Sequence, residues 1–277
     1  MPRPDRRAAS RAAQVLLAEV AWQATPVDPA AIATRLGIVV QPSTKLGGSF
    51  SGCLMQSGQT FGILFTTTIA SDGFKRFTIG HELGHYRLPD HRATLLRDGT
   101  PHFSQSNFTS NEWFEVEADT FAAALLMPED AFREEIRRRP LGIPAVKALA
   151  DAFGTSLTST AIRYAQLTPD PVAVVVSEDG AVRYCFASPC LERVRGVFLR
   201  HGSPLPPRSA TARFNRDSEN VSRAREVEDR TYLSVWFDSA GRDFEVNEDV
   251  IGLGAHGRTL TVLHAAELPP EDHEEED

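Results

Sequence analysis

The first part of the chain passes from helical to extended patterns of apolar residues. Apolar side chains recur at helical spacing over residues 8–23, and a shorter helical run over 29–37 ends at Gly37, a residue type common after a last helical turn. Runs rich in β-branched and aromatic residues predict strands at 38–40, 50–55 and 61–65. Residues 56–59 predict a hairpin turn between the last two. We therefore expect a small antiparallel sheet preceded by helices.

A later helix is predicted from an apolar face that ends at a proline. The face consists of Ala118, Phe121, Ala122, Leu125 and Leu126 at helical spacing, and Pro128 ends the helix. The preceding run 87–110 is polar and contains prolines, serines and threonines, which predicts a loop. Tyr86, His91 and His102 are candidates to stabilise an oxyanion there, but solvated loop histidines are commoner, so their roles stay open.

Residues 144–167 predict two helices separated by Gly154, the outline of a helix-turn-helix. Ser156 or Thr158 could cap the second helix. This helix offers Arg163 but few other side chains of the kind that read base edges. A DNA-reading segment and a structural pair of helices both remain open, and the scarcity of basic residues favours the structural role.

The last part of the chain predicts an α+β module without a catalytic motif. Asp179-Gly180 is a hairpin signal between extended runs at 172–176 and 182–186. Residues 191–198 predict a helix, and the Pro- and Arg-rich run 203–230 predicts a long loop. Further strands are expected at 232–237, 243–246 and 260–263. We expect four regions: 1–140, a helix-turn-helix-like segment at 141–168, an α+β domain at 169–265, and an acidic tail at 266–277.

The segment His81-Glu82-Leu83-Gly84-His85 places two histidines four residues apart on a predicted helix. Residues at this spacing share one face, so both rings can reach the same cation. Imidazole nitrogens suit Zn²⁺, and a catalytic zinc site uses three protein ligands and leaves one position to water. Glu82 could act there as general base. The pattern alone also fits an exposed helix with solvated histidines, so a second match is needed.

The second match lies in the helix that ends at Pro128. Glu115 and Asp119 are four residues apart beside the apolar face, so one carboxylate can complete the metal site while the other orients a histidine ligand. Glu117 points about 160° away from Glu115 on a helix, so at most one of these two faces the metal. We predict Glu115 as the ligand and Asp119 as the orienting residue, with two solvated carboxylates as the alternative.

Both motifs resemble the ImmA/IrrE family of zinc metallo-endopeptidases. The resemblance is carried by RFTIGHELGHY at 76–86, EVEADTFA at 115–122 and LLMP at 125–128, and it extends over residues 30–170. It implies a zincin-like peptidase domain with a small antiparallel sheet and an HExxH helix. In this family a helix-turn-helix piece often accompanies the peptidase fold, and the C-terminal module resembles the sensor-like domain of IrrE-type proteins.

The resemblance also implies roles for individual residues. His81, His85 and Glu115 would bind zinc, and Glu82 would be the catalytic base. The family commonly has asparagine where this chain has Asp119, a departure that keeps a hydrogen-bonding side chain but adds a charge. The implied substrate is a helix-turn-helix transcriptional repressor that is cut in response to stress or to a mobile element.

Composition and charge exclude several other classes. The net charge of −8 includes six acids in the tail 271–277, so the rest of the chain carries only −2, which argues against a broad nucleic-acid-binding surface. The three cysteines are widely spaced without zinc-ligand pairing, which fits a reducing compartment. The basic N-terminus precedes an amphipathic segment, not an apolar one, and no stretch predicts a membrane span. We expect a cytoplasmic protein.

The sequence therefore predicts a cytoplasmic zinc endopeptidase that acts on a protein. An exposed edge strand could bind an extended peptide by main-chain pairing, or the sheet could only support the metal helix. The competing class is a regulator that binds DNA or a protein partner and uses zinc only as a structural element. A metal hydrolase of small molecules is a third possibility, and it would require an enclosed pocket.

Overall fold

The structure, a computed structural model, describes residues 3–46, 50–69, 71–97, 99–104, 112–238, 243–254 and 257–268. The chain divides into two compact units, residues 1–132 with 150–156 and residues 133–149 with 157–277. Helices and two sheets give the α+β class that the sequence predicts. The domain boundaries at 140 and 168 stay a prediction. The tail beyond residue 268, expected to be a solvated acidic end, lies outside the described residues.

The first unit consists of helices and a small four-stranded sheet. Its helices are α1 (Arg6–Glu19), α2 (Pro29–Arg35), α3 (Asp72–Arg87), α4 (His91–Leu95) and α5 (Trp113–Leu126), and its strands are β1 (Val39–Ser43), β2 (Gly52–Ser57), β3 (Thr60–Thr66) and β4 (His102–Ser104). Aspartates begin the first two helices. The Asp5 carboxylate accepts from the Ala8 amide, and Asp28 accepts from Ala30 and Ala31.

The sheet has the strand order β1-β3-β2-β4. β2 and β3 form the predicted antiparallel hairpin, with Gly58 at φ +60° in its turn. β1, however, pairs with β3 in parallel, so the sheet is mixed and not wholly antiparallel. The chain passes through β2 between these two parallel strands, so no direct hairpin joins them.

The predicted loop at 87–110 is wrong in part. It contains the short helix α4 and the strand β4, which pairs with β2 in antiparallel register. Both elements are too short to produce a hydrophobic period that the sequence could show. Residues 98 and 105–110 of this run lie outside the described residues.

Glycines bring α3 and α5 into close contact. A Cβ atom on Gly84 would lie 3.2 Å from the Cα atom of Ala118 and 3.2 Å from Cδ1 of Phe121, and one on Gly80 would lie 3.4 Å from the Ala122 Cβ atom. Both glycines weaken an isolated helix by about 1 kcal/mol relative to alanine. Because these glycines have no side chain, α3 and α5, the two helices that carry the predicted site, can approach each other closely.

The second unit is built on a five-stranded sheet in the order β6-β5-β9-β8-β7. Its strands are β5 (Val172–Glu178), β6 (Ala181–Ala187), β7 (Glu226–Tyr232), β8 (Glu245–Gly252) and β9 (Arg258–His264), and all neighbours are antiparallel. The Asp-Gly hairpin signal is confirmed, since Asp179 and Gly180 both have positive φ, 51° and 76°.

Other predictions in this unit are wrong. Residues 191–198 contain only a 3₁₀ turn at Leu191–Arg193. The predicted loop at 203–230 contains the helices α9 (Ala210–Phe214) and α10 (Ser218–Ser222) and most of β7. The strand predicted at 232–237 is instead the short helix α11 (Leu233–Trp236), which directly follows β7.

The helix-turn-helix outline is present. Helix α6 (Glu129–Ile136) follows Pro128, and α7 (Ile143–Phe153) and α8 (Leu157–Leu167) flank Gly154, which has φ +61°. In α8, residues 159–165 are all buried, and the helix contacts β5 and β6. Arg163, its basic side chain, is buried too. A helix that reads DNA needs an exposed face, so this burial favours the structural role.

Among the described residues, none of the helices combines the length and the apolar character that crossing a membrane would require.

Candidate metal centre

Helix α3 carries both motif histidines on its buried face. The Ser71 side chain accepts from the Phe74 amide and begins the helix. Residues 77–85 are then buried without interruption, and they include His81 and His85, whose side chains have no exposed surface. Their Nε2 atoms lie 2.9 Å apart, so the two nitrogens converge on one point.

Glu115 reaches the same point from the first turn of α5. Its Oε2 atom lies 3.2 Å from Nε2 of His81, and its Oε1 atom lies 3.5 Å from Nε2 of His85. The candidate ligand atoms of these three residues all lie within 4.8 Å of one another. Two imidazole nitrogens and a carboxylate oxygen are a donor set that suits a divalent transition metal, so the residues present fit such a cofactor.

Asp119 supports this set one helical turn further along α5. Its Oδ1 atom lies 2.8 Å from Nδ1 of His81. A carboxylate at this distance accepts the Nδ1–H of a neutral ring and leaves the Nε2 lone pair directed at the shared point. Asp119 therefore takes the place beside a histidine that the sequence assigned to it.

Glu82 lies against this group without a hydrogen bond of ordinary geometry. The side chain is fully buried, and the Ser104 hydroxyl lies close enough to lower the pKa of its carboxylate without meeting the distance and angle of an ordinary hydrogen bond. Gly52 on β2 makes the room for it, because a Cβ atom there would lie 2.4 Å from Oε1 of Glu82. A buried carboxylate without partners is unfavourable by several kcal/mol in general, so its retention needs a reason other than stability.

Comparison with known proteins agrees with this geometry. Residues 33–164 match the model of a peptidase family, Peptidase_M78, described as the IrrE N-terminal-like domain. Over these residues the chain is similar to that domain. The resemblance predicted from the two motifs is thereby confirmed over these residues, and the match supports a metallopeptidase.

Structural comparison extends beyond this domain. A solved structure named as a Mycobacterium tuberculosis transcriptional regulator matches with a TM-score of 0.60 and 16% sequence identity, over 92% of this chain and 76% of that one. At this identity the likeness shows a shared fold. A search of curated proteins found no match.

Burial and charge set opposite protonation tendencies among the residues of this candidate site. Burial alone would lower the pKa of His81, but hydrogen bonds and charges from Asp119 and Glu115 outweigh it and raise that pKa well above its usual value. Burial lowers the pKa of His85 far below its usual value. Burial opposes ionisation of Glu115, yet hydrogen bonds from His102, His81 and His85 hold its pKa well below the ordinary range.

The pKa of Glu82 shifts in the direction that a general base near neutral pH requires. Burial raises it from an ordinary value of 4.5 to about 7, against the lowering effect of the charges on His81 and His102 and of the Ser104 hydroxyl. A base is most effective when its pKa lies near the working pH. Burial therefore moves the pKa of this carboxylate towards the range that suits a general base.

Three residues at the site were missed or left open by the sequence. His102 on β4 lies with its Nε2 atom 3.0 Å from Oε1 of Glu115. His91 is fully buried and contacts His85, and Glu117 contacts His91. Both histidines lie in the run 87–110, which predicts a loop, and a single histidine in a loop does not indicate a role. Glu117 carried a clue, because on a helix it points away from Glu115 and must therefore face a different partner.

Proposed function

We propose that this protein is a zinc-dependent endopeptidase of the cytoplasm that cleaves a protein substrate, a helix-turn-helix transcriptional repressor, as part of a stress or mobile-element response. The observation that carries the proposal is the buried Glu82 carboxylate, which has no hydrogen bond of ordinary geometry and lies beside the converging His81, His85 and Glu115. The match to a peptidase family supports the same reaction class.

Each residue has a defined part in the hydrolysis of a peptide bond. His81, His85 and Glu115 hold the zinc ion, and Asp119 fixes the ring of His81. Zinc, when bound, supplies Lewis acidity that polarises a carbonyl group and lowers the pKa of water. Glu82 takes the proton of the attacking water and passes it to the leaving amine nitrogen. A pKa of about 7 lets this carboxylate accept and release that proton.

The edge of the small sheet suits an extended substrate. β4 ends the strand order, and among the described residues it pairs only with β2. Its first residue, His102, contacts Glu115, so this edge passes directly beside the metal group. An extended peptide that pairs with β4 through its main chain would bring a scissile bond near that group.

The substrate and the compartment have separate support. The implied repressor substrate comes from the resemblance to the ImmA/IrrE family. The cytoplasmic location is supported by Cys53, Cys185 and Cys190, which are all free thiols, as expected in a reducing compartment. The zinc identity is supported by the His-His-Glu donor set.

The test compares the native protein with a Glu82→Gln variant, both loaded with one equivalent of zinc. Candidate helix-turn-helix repressors are added, and products are followed by mass spectrometry. We expect the native protein to cut one of them and the variant to cut it about 10²- to 10⁴-fold more slowly, because the general base is lost. Zinc content and circular dichroism serve as controls and should be unchanged.

A non-proteolytic regulator with a structural zinc site is the second candidate, because the structural neighbour described above is named a transcriptional regulator. It predicts a different result in the same experiment. The Glu82→Gln variant would keep the full biological effect on the target genes, and no cleavage product would form. That outcome would remove the peptidase proposal.

A further inference from the structure

The two candidate histidine ligands are supported in different ways. Nδ1 of His81 faces a carboxylate directly, at 2.8 Å from Asp119. Nδ1 of His85 instead faces another imidazole, since it lies 3.0 Å from Nδ1 of His91. The far side of that second ring is held in turn, because Nε2 of His91 lies 3.0 Å from Oε2 of Glu117.

The backbone is shaped to bring His91 to this position. Helix α3 ends at Arg87, and α4 begins at His91 after only three residues. The turn requires Asp90 at φ +63°, a left-handed conformation that aspartate adopts more readily than most residues. The ring of His91 then packs edge-on against Trp113, with centroids 5.1 Å apart, and is fully buried. This residue is therefore not a solvated loop histidine.

The contact between two Nδ1 atoms fixes the direction of the hydrogen bonds. Only one of the two nitrogens can carry the shared hydrogen. If His85 binds a cation through Nε2, its hydrogen must lie on Nδ1, so His85 donates and His91 accepts. The hydrogen of neutral His91 then lies on Nε2, which donates to Glu117. Once a cation is bound, the donor and the acceptor are therefore determined in both hydrogen bonds, the one between His85 and His91 and the one between His91 and Glu117.

Glu117 is held from a second side. Its other oxygen, Oε1, accepts the backbone N–H of Asp5 at 2.7 Å. Asp5 also caps α1, so the carboxylate is anchored to an ordered segment. The Glu117 carboxylate, which accepts from His91, is therefore held in position independently of a metal ion.

We propose that His91 and Glu117 are positioning residues that hold His85 in the Nδ1–H tautomer and direct its Nε2 lone pair at the metal. The proposal rests on the metal assignment of the proposed function. In this arrangement the Glu117 carboxylate supports His85 through the ring of His91, whereas the Asp119 carboxylate contacts His81 directly. Carboxylate or carbonyl partners of this kind raise metal affinity about 10- to 100-fold in other metal sites.

The tautomer test needs no substitution. Histidine labelled with ¹⁵N is incorporated, and the ring nitrogens of the zinc-loaded native protein are assigned by long-range proton–nitrogen correlation. We expect His91 to be neutral with its hydrogen on Nε2, and His85 to carry its hydrogen on Nδ1. A His91 ring with its hydrogen on Nδ1, or with two hydrogens, would overturn the proposal.

The affinity test uses His91→Phe, which keeps the ring and removes both nitrogens, and Glu117→Gln, which keeps an acceptor and removes the charge. Zinc affinity is measured by competition with a chromophoric chelator. We expect about a 10- to 100-fold loss for His91→Phe and a smaller loss for Glu117→Gln. The control Trp113→Phe alters the packing on His91 without its hydrogen bonds and should bind zinc as the native protein does.

The outcomes separate this proposal from the function beneath it. If both variants bind zinc as tightly as the native protein, and differ only in unfolding temperature, the two residues serve packing and the proposal is wrong. Should His91→Phe fail to fold, Glu117→Gln and the tautomer measurement still decide. A native protein that binds no zinc would contradict the proposed function itself.

Discussion

Two buried acids of the second unit, Asp249 and Glu248, differ in their hydrogen bonding from Glu82 in the first unit. In the second unit, Oδ2 of Asp249 accepts from the Ile143 amide at 3.0 Å and from Nε2 of His264 at 3.1 Å. The neighbouring Glu248 accepts at Oε1 from both the amide and the hydroxyl of Thr211, each at 2.8 Å. Asp249 therefore joins the start of α7 to β8, and Glu248 joins α9 to the same strand.

In the first unit, Glu82 is equally buried but has no such partner among the described residues. A glycine makes room in both cases: a Cβ atom on Gly142 would lie 2.0 Å from Asp249 Oδ2, and one on Gly52 would lie 2.4 Å from Glu82 Oε1. Near Asp249 the space admits a backbone donor, whereas near Glu82 no backbone donor reaches the carboxylate within the described residues. Asp249 therefore serves stability, and Glu82 is held where it can react.

The largest stability effect is expected from Asp249→Ala. This change leaves the Ile143 amide and the His264 ring without their buried acceptor, so the free energy of unfolding should fall by about 3 kcal/mol. Urea unfolding at pH 7 measures it. A loss below about 0.5 kcal/mol, within the range of ordinary surface changes, would mean that Asp249 does not anchor the second unit.

Glu82→Gln should act in the opposite direction in the metal-free protein. The folded-state pKa of Glu82 is raised from 4.5 to about 7. The folded state therefore holds the proton more tightly, and the stability that protonation contributes is present below about pH 4.5 and is lost as pH rises through 7. The variant has no such loss, so its advantage should grow by up to about 3 kcal/mol between pH 4 and pH 8.

Urea unfolding of both metal-free proteins at these two pH values checks this prediction. Titrating groups remote from Glu82 cancel in the comparison, whereas those coupled to it, such as His81 and His102, change together with it. A difference that does not change with pH would show that Glu82 ionises as easily when folded as when unfolded, and the contrast between the two units would then disappear.

A smaller effect is expected from Thr211→Val. This nearly isosteric change removes one hydroxyl donor from Glu248 but keeps the backbone donor, so the free energy of unfolding should fall by about 1–2 kcal/mol. The same hydroxyl lies 2.7 Å from that of Thr261, which gives the control: Thr261→Val should destabilise less, because it leaves both Glu248 contacts in place. The reverse order would show that Glu248 is not the partner that matters.

Features with a local signal could be predicted from the sequence. The HExxH helix, the helix ended by Pro128 and the Asp179-Gly180 hairpin each depend on residues close together in the chain. Their spacing or backbone preference is enough to indicate the structure. The fold class and the family resemblance followed from these signals.

Strand β7 shows why other elements could not be predicted. Most of its residues are exposed and many are charged, including Glu226, Glu228 and Arg230, as is common for an edge strand. It therefore lacks the alternating apolar pattern that marks a half-buried strand. The apolar run 232–237 after it predicts a strand instead. In the structure, Leu233 and Trp236 of this run are buried three residues apart, which is the spacing of a helical turn.

The support of His85 depends on contacts that no local pattern contains. His91 reaches it only because the chain reverses at Asp90, and Glu117 reaches His91 from a helix 26 positions away. Long-range meetings of this kind are decided by the packing of whole elements. The sequence contains His91 and Glu117, but no local pattern could pair them with His85.

The most direct test of the account is a crystal structure of the zinc-loaded native protein with anomalous data at the zinc edge. We expect one strong peak about 2.0–2.2 Å from Nε2 of His81, Nε2 of His85 and a carboxylate oxygen of Glu115, with Glu82 beside it and not coordinated. A peak elsewhere, or one that Glu82 coordinates while Glu115 turns away, would contradict the central claim.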